Sequence, residues 1–339
     1  MNCNSAIRNG RSSSLIWLSV LCLSVMFSIG LHAESDAEYI EQGTSHDALF
    51  DADLVGDIGY AVGAKGKILR TEDGGATWAP DVNPLSLALL SVSFNGERAI
   101  AVGLMGTVLI RDSSGEWRPV ESGTKERLFS VDINSHGFAV ASGSFGTFLR
   151  SVNGGETWKK VNQNWDGIFF DPDMRLGGLF EPNLYGAFVS ESGEAWVVGE
   201  LALVLKSTDQ GETWSVENAG GSSEAEISST LSAISVRDDG VAYAVGQEGF
   251  VLKRDADDAR WRELKASSHQ NLLGVTSTAD GLVIAPGMRT ILFSRDDGES
   301  WNAVRGLDIQ SGWYSAAVIS KKHSATFVFG NNANILTIK

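Results

Sequence analysis

The side chains able to do chemistry in this sequence are few and scattered. Five tyrosines, Tyr39, Tyr60, Tyr185, Tyr243 and Tyr314, are candidate nucleophiles for cleaving a glycosidic bond. That chemistry also needs a glutamate to activate the tyrosine, an aspartic acid as acid/base, and arginines to grip an anionic sugar. Tyr60 and Tyr243 occupy the same place in a recurring phrase, which ties them to a strand position and not to a unique site. Beyond the first 33 residues the histidines, His46, His136, His269 and His323, are far apart and lack metal-ligand spacing. Asp171-Pro172-Asp173 has the composition of a loop turn. The sequence therefore offers no catalytic residue, no metal site and no cofactor, and the chain reads as a non-enzyme.

What must position any site is a repeat. Gly59–Trp78 reads GYAVGAKGKILRTEDGGATW, and versions of it return ending at Trp117, Trp158, Trp214, Trp261 and Trp301. A seventh copy, ATFVFGNNANILTIK, reaches the C-terminus before its Trp. The intervals between these tryptophans are 39, 41, 56, 47 and 40 residues, the period of a four-stranded propeller blade. Each unit holds short Val/Ile/Leu runs bounded by Gly and Asp/Asn clusters, which is hairpin material. The 339 residues include 38 Gly and only 6 Pro, in keeping with many tight turns. The expected fold is all-β: a seven-bladed β-propeller of four-stranded antiparallel blades. The last copy lacks a fourth strand. Ile40-Glu41-Gln42-Gly43-Thr44 resembles Val120-Glu121-Ser122-Gly123-Thr124, which follows a repeat Trp, so residues 36–42 are expected to close the last blade. The alternative is a disordered N-terminal tail.

Four hairpins share the pattern Ser/Thr-x-Asp/Asn-x-Gly-x-Ser/Thr-Trp. Their key residues are Asp73, Gly75 and Trp78; Asn153, Gly155 and Trp158; Asp209, Gly211 and Trp214; and Asp296, Gly298 and Trp301. The Asp or Asn caps the turn through backbone N–H groups, Gly takes a positive φ, and Trp buries its ring between sheets. This is the Asp-box, or BNR, motif of sialidases and of many non-enzymatic propellers. The longer phrase at Ala61–Trp78 resembles the photosystem II stability/assembly factor family, over roughly residues 36–339. That resemblance implies a non-catalytic scaffold without a cofactor that binds a membrane protein or complex and aids its assembly. It implies the thylakoid lumen or periplasm as location if the source is photosynthetic. The competing reading is a sialidase-like glycoside hydrolase or glycan-binding propeller, but no Arg-Ile-Pro type signature precedes the first motif.

Residues 1–33 read as a signal peptide: Arg8 and Arg11, the apolar run Leu15–Leu31, and Ala33 at a plausible cleavage site. An uncleaved anchor is the alternative, since 17 residues is near the short limit for a span. Leu21 before Cys22 is not the small residue of a lipoprotein signal. Residues 34–339 then form the propeller domain, exported to the periplasm, and both cysteines, Cys3 and Cys22, leave with the leader. Loss of two arginines takes Lys+Arg from 27 to 25 against 42 acids, a net charge of 25 − 42 = −17. Nucleic acid is an improbable partner for such a surface. No small-molecule substrate is expected, and the chain reads as a monomer.

The turns joining second and third strands lie on the face opposite the hairpins. Their tips are read as Lys65, Met105, Phe145, Leu201, Glu248, Met288 and Asn332. The 56-residue interval places an aromatic insert, 162–183, on that face, with Trp165, Phe169, Phe170, Met174, Arg175 and Phe180. A long aromatic loop on a rigid scaffold suits recognition; it also suits a plug over the central channel, and the two are compatible. Cations recur at the end of the third strand, Arg70, Arg150, Lys206 and Lys253. In the resembled family, arginines at this position contribute to a basic patch for partner binding. The local alternative is a stem packed on a Trp or paired with a motif acid.

Overall fold

The structure is a computed structural model and describes residues 37–169, 180–220 and 229–338, apart from the Phe169 side chain. The leader reading, and the contact roles read for Phe169, Phe170, Met174 and Arg175, concern side chains outside that set. The ring occupies one compact unit, Glu34–Lys339.

Seven antiparallel sheets of four strands follow one another along the chain, except that β1 (Ala37–Glu41) belongs to the last. Blade one holds β2 (Leu49–Val55), β3 (Ile58–Gly63), β4 (Ile68–Thr71) and β5 (Ala79–Pro80). Blade two holds β6 (Leu89–Phe94), β7 (Ala99–Gly103), β8 (Val108–Arg111) and β9 (Trp117–Val120). Blade three holds β10 (Leu128–Ile133), β11 (Ala139–Gly143), β12 (Phe148–Ser151) and β13 (Lys159–Lys160). Blade four holds β14 (Leu184–Val189), β15 (Ala195–Gly199), β16 (Val204–Ser207) and β17 (Ser215–Asn218). Blade five holds β18 (Leu231–Val236), β19 (Ala242–Gly246), β20 (Phe250–Arg254) and β21 (Trp261–Lys265). Blade six holds β22 (Thr276–Ser277), β23 (Val283–Gly287), β24 (Thr290–Ser294) and β25 (Asn302–Ala303). Blade seven holds β26 (Tyr314–Ser320), β27 (Ala325–Gly330), β28 (Ile335–Ile338) and β1.

The closing strand is supplied from the N-terminal side, as expected. Ala37 pairs with Ile338 and Glu41 with Ile335, so β28 is not left as an open edge. Second strands such as β7 and β19 are buried at every residue, which explains their Ala, Val and Gly content: neighbouring blades press on both faces. Between blades the large side chains interlock. Trp117 of blade two meets Tyr60 of blade one edge-on, centroids 5.4 Å apart, a geometry worth about 1 kcal/mol beyond its buried area.

Candidate functional site

The turn between second and third strands is built almost identically in every blade. Its first N–H returns to the chain just before the inner strand, as from Ala64 to the Ala48 carbonyl (3.0 Å) and from Leu104 to the Ala88 carbonyl (3.1 Å). The tip residue is then left-handed: Lys65, Met105, Phe145, Leu201, Glu248, Arg289 and Asn332 all have φ between 52° and 59°. That conformation costs a non-glycine residue roughly 1–2 kcal/mol. Blade six corrects the sequence reading. Its turn is one residue shorter, so Arg289 takes the tip, while Met288 donates its N–H to Asn271 (2.8 Å) as Ala64 does to Ala48. Met288 faces the mouth of the central channel instead. Met105 and Phe145 stand out from the ring at 67% and 62% exposure, and Leu201 is half-buried.

The described part of the insert is held against this same face. Gly146 donates its N–H to the Pro182 carbonyl (2.8 Å) and Phe145 donates to the Asn183 side chain (3.3 Å), so the exit of the insert grips the blade-three turn. Its entry is gripped by Trp165, which covers Gly146 and lies 6.1 Å from Phe148. At 8% exposure Trp165 is a core residue. The expectation that its ring meets a partner is therefore corrected: it anchors the insert. Phe180 is half-buried.

The inner strands line a channel of about 860 Å³. Near its mouth Phe50 stacks on Trp313 (5.7 Å), Phe129 leans on Tyr185 (4.9 Å), and Arg127 lies over Phe129 (5.8 Å). Deeper, three carboxyls tie their blades to neighbouring ones. Asp51 accepts from the Ser91 hydroxyl (2.6 Å) and the Val92 N–H (3.1 Å), Asp53 from the Phe94 N–H (2.7 Å), and Asp132 from Ser93 (2.7 Å) and the Val189 N–H (2.7 Å). Enclosure by the ring pushes Asp51 and Asp132 up to about 7 against these bonds, and raises Asp53 as well. These acids were absent from the sequence reading. Their only signal was the alternation Asp-x-Asp, Ser-x-Ser and Ser-x-Asp at 51–53, 91–93 and 130–132, in phase with the repeat.

The tyrosines do not look like nucleophiles. Tyr60, Tyr243 and Tyr314 are buried, the Tyr243 hydroxyl bonds the Asp297 carbonyl (3.0 Å), and burial raises the pKa of Tyr185, Tyr243 and Tyr314. A nucleophilic tyrosine needs the opposite shift. Among the described residues no group of three or more His, Cys, Asp or Glu could hold a metal ion.

At the opposite ends of the strands the four motif hairpins share one network. In the first, Thr71 donates to Asp73 (2.8 Å), Asp73 accepts from the Thr77 N–H (2.9 Å) and hydroxyl (2.7 Å), and the Gly75 N–H reaches Thr71 (2.9 Å). The hairpins of Asn153, Asp209 and Asp296 repeat it, with Asn153 donating to Thr157 where the acids accept. At Asp73 the slight burial is outweighed by the bonds from Thr77 and Thr71, and at Asp209 the Thr213 hydroxyl leads; both acids fall to about 2. The third-strand cations belong to this end. Arg70 pairs with Glu72; Arg150 bonds the Gln210 carbonyl and pairs with Glu212 (2.9 Å). Lys206 lies 4.7 Å from the Trp196 ring and pairs with Glu194, and Lys253 pairs with Asp255. The expected contact residues thus divide between two faces: Lys65, Met105, Phe145 and Met288 at one, Arg70 and Arg150 about 15 Å away at the other by strand rise.

Fold and surface together define a seven-bladed propeller with a hydrogen-bonded hairpin end and an end of exposed turn tips. No family model matches the chain. It is 24% identical over 293 residues to the photosystem II assembly lipoprotein Ycf48 of Synechococcus sp. strain CC9902, covering 82% of this chain and 80% of that one. It is 27% identical over 154 residues to the chloroplastic photosystem II stability/assembly factor HCF136 of Oryza sativa subsp. japonica, covering 42% and 34%. These matches and the seven-bladed ring support a photosystem II assembly factor-like family, at low identity. Among solved structures, YCF48 bound to a D1 peptide superposes with a TM-score of 0.66 at 19% identity over 90% of this chain and 94% of that chain. The GH74 xyloglucanase of Xanthomonas campestris reaches 0.67 at 14% identity over 88% of this chain and 53% of that one, so the ring is shared with an enzyme and does not by itself decide activity.

Proposed function

We propose that this chain is an exported, non-catalytic Asp-box scaffold that binds an extramembrane segment of a membrane protein and aids the assembly or stability of its complex. The observation that carries the reading is the likeness to an assembly lipoprotein over four-fifths of both chains. The related YCF48 bound to a D1 peptide makes a peptide segment the natural form of the partner's contact. In a photosynthetic source the partner is a photosystem II membrane protein; in any source the periplasm or thylakoid lumen is the compartment. The binding face is the tip end, where Lys65, Met105, Phe145 and Met288 are exposed around the channel mouth beside the insert. Trp165 holds the entry of the insert against this face, and half-buried Phe180 stands at its exit.

Photo-crosslinking the purified chain to a detergent-solubilised membrane fraction tests this. Enrichment of a membrane protein, reduced when residues 169–180 are deleted, is the expected result. No enrichment above a propeller of unrelated sequence would overturn the reading. Turnover of an aryl-glycoside or fluorogenic sialoside, abolished by a single Tyr or Glu substitution, would replace it with an enzyme.

A further inference from the structure

Three of the four motif hairpins carry an acid at the capping position, and the one in blade three carries Asn153, followed directly by Gly154. Asn153 is exposed, yet its carboxamide is held on both sides. Its Oδ1 accepts from the Ser151 hydroxyl (2.9 Å) and the Thr157 N–H (3.1 Å), and its Nδ2 donates to the Thr157 hydroxyl (2.9 Å). A backbone N–H can only donate, so Thr157 fixes which atom of the amide is the oxygen. In the acid hairpins the hydroxyl at the Thr157 position donates instead: Thr77 to Asp73 (2.7 Å), Thr213 to Asp209 (2.6 Å) and Ser300 to Asp296 (2.6 Å). A carboxylate at position 153 therefore needs one hydroxyl to turn and no movement of the chain.

An asparagine followed by glycine can lose its amide to its own backbone. The Gly154 nitrogen gives its proton to solvent base and bonds Asn153 Cγ; the Cγ–Nδ2 bond breaks, and ammonia leaves with a proton from water. Water then opens the five-membered imide. Addition at Cγ restores the Gly154 N–H and leaves aspartate, whereas addition at the backbone carbonyl leaves isoaspartate, with the chain rerouted through Cβ. Whenever Cγ is attacked, negative charge gathers on Oδ1, and Ser151 and Thr157 already aim two donors at that atom. The Gly154 N–H is bonded to the Gly137 carbonyl (2.8 Å), so ring closure is slower in the fold than in the unfolded chain. Only in the fold, however, is the opening of the imide directed.

We infer that Asn153 is a site of spontaneous deamidation, and that its hairpin directs the product to aspartate, completing a fourth acidic motif. The other Asn-Gly pair among the described residues, Asn95-Gly96, sets the contrast. The Asn95 Nδ2 donates to the Asn134 carbonyl of the next blade (2.9 Å). Loss of that nitrogen breaks a bond between blades and leaves a carboxylate oxygen against a carbonyl that cannot donate, so this amide is retained. Asn153 lies at the hairpin end, and its chemistry does not rest on the function proposed above.

The test holds the purified full chain at mildly alkaline pH, folded and in urea, and follows both Asn-Gly pairs over weeks by peptide mapping. The Asn153→Asp variant and a synthetic isoaspartyl peptide serve as standards. In the folded chain Asn153 should convert with aspartate exceeding isoaspartate, while Asn95 keeps its amide. In urea both should convert, with isoaspartate leading. Ser151→Ala should slow conversion of folded Asn153 about fivefold, the worth of one hydrogen bond, and raise the isoaspartate share. Should that variant fail to fold, the product ratio of the parent, folded against unfolded, carries the test. The Asn153→Asp variant should unfold at a urea midpoint no lower than the parent's. A folded Asn153 that keeps its amide while the unfolded chain converts would overturn the inference. So would isoaspartate leading in the fold, or Asn95 converting as fast as Asn153.

Discussion

Replacing Met105 and Phe145 together by Asn separates what the fold requires at the turn tips from what a partner requires. Blade seven already carries Asn332 at this position with φ 57°, so the backbone accepts the residue. Asn tolerates the left-handed conformation better than Met or Phe, so stability should stay within about 0.5 kcal/mol of the parent in urea. Binding should not. A phenylalanine presents about 200 Å² of surface, and Phe145 leaves 62% of its own uncovered. That is roughly 120 Å², or about 3 kcal/mol at ~25 cal/mol per Å². Met105, at 67%, offers a similar amount. A partner covering half of each would draw about 1.5 kcal/mol per residue, and loss of both would weaken binding on the order of 100-fold. The assay is biolayer interferometry against the membrane protein recovered by crosslinking, with urea unfolding run alongside. Unchanged affinity would show that the tips are not the contact surface. A loss of stability above 2 kcal/mol would show that Met105 and Phe145 serve the fold.

Gly75→Ala should cost about 2–4 kcal/mol in urea unfolding, because a Cβ there has φ +95° and lies 2.5 Å from the Phe327 ring. Gly123→Ala, with φ +79° and nothing within 4 Å, should cost only about 1 kcal/mol, and equal losses would refute the packing argument. Stability should peak near pH 4 and not at neutrality, by two opposed linkages. Asp73 and Asp209, lowered to about 2, hold fewer protons folded than unfolded, so stability falls as pH drops from 4 through 2. Asp51 and Asp132, raised to about 7, hold more protons folded, so stability also falls as pH rises from 4 to 7. Urea midpoints between pH 2 and 9 check this, and a midpoint rising steadily to pH 7 would refute the raised acids. Deleting residues 34–42 should expose the β28 edge and make the protein aggregate, read by light scattering.

The ring was legible because its repeat is punctuated by residues with fixed physical jobs. The tryptophan intervals gave the blade period, and the likeness of Ile40–Thr44 to Val120–Thr124 located the closing strand, which spans Ala37–Glu41 where 36–42 was expected. What stayed hidden depends on contacts between blades. Trp165 reads as a loop aromatic, and nothing in its neighbours tells that Gly146 leaves room beneath it. Met288 was assigned to a tip because Pro-Gly-Met-Arg shows no sign that its turn is one residue short. Asp51, Asp53 and Asp132 alternate like solvent-facing strand residues, and they become enclosed only once seven inner strands meet round a channel. Arg70 and Arg150 were read at the end of the third strand, and the local alternative of pairing with a hairpin acid is the arrangement found, with Glu72 and Glu212.

The two ends of the ring differ in what holds their side chains. At the hairpin end the side chains are themselves the structure: Thr71, Asp73 and Thr77 close a network that an arbitrary residue would break. At the tip end the backbone bonds to backbone, as in Ala64 to Ala48 and Ser144 to Arg127, so the tip side chain carries no bond that the turn needs. The seven tips accordingly differ in every blade: Lys65, Met105, Phe145, Leu201, Glu248, Arg289 and Asn332. Glycine would relieve the left-handed strain at each of them, yet none is glycine, and six are not asparagine either. The fold gains nothing from an exposed methionine or phenylalanine held in a strained conformation. An exposed methionine and phenylalanine held there at a cost are the reason the tip face is proposed as the partner's contact surface.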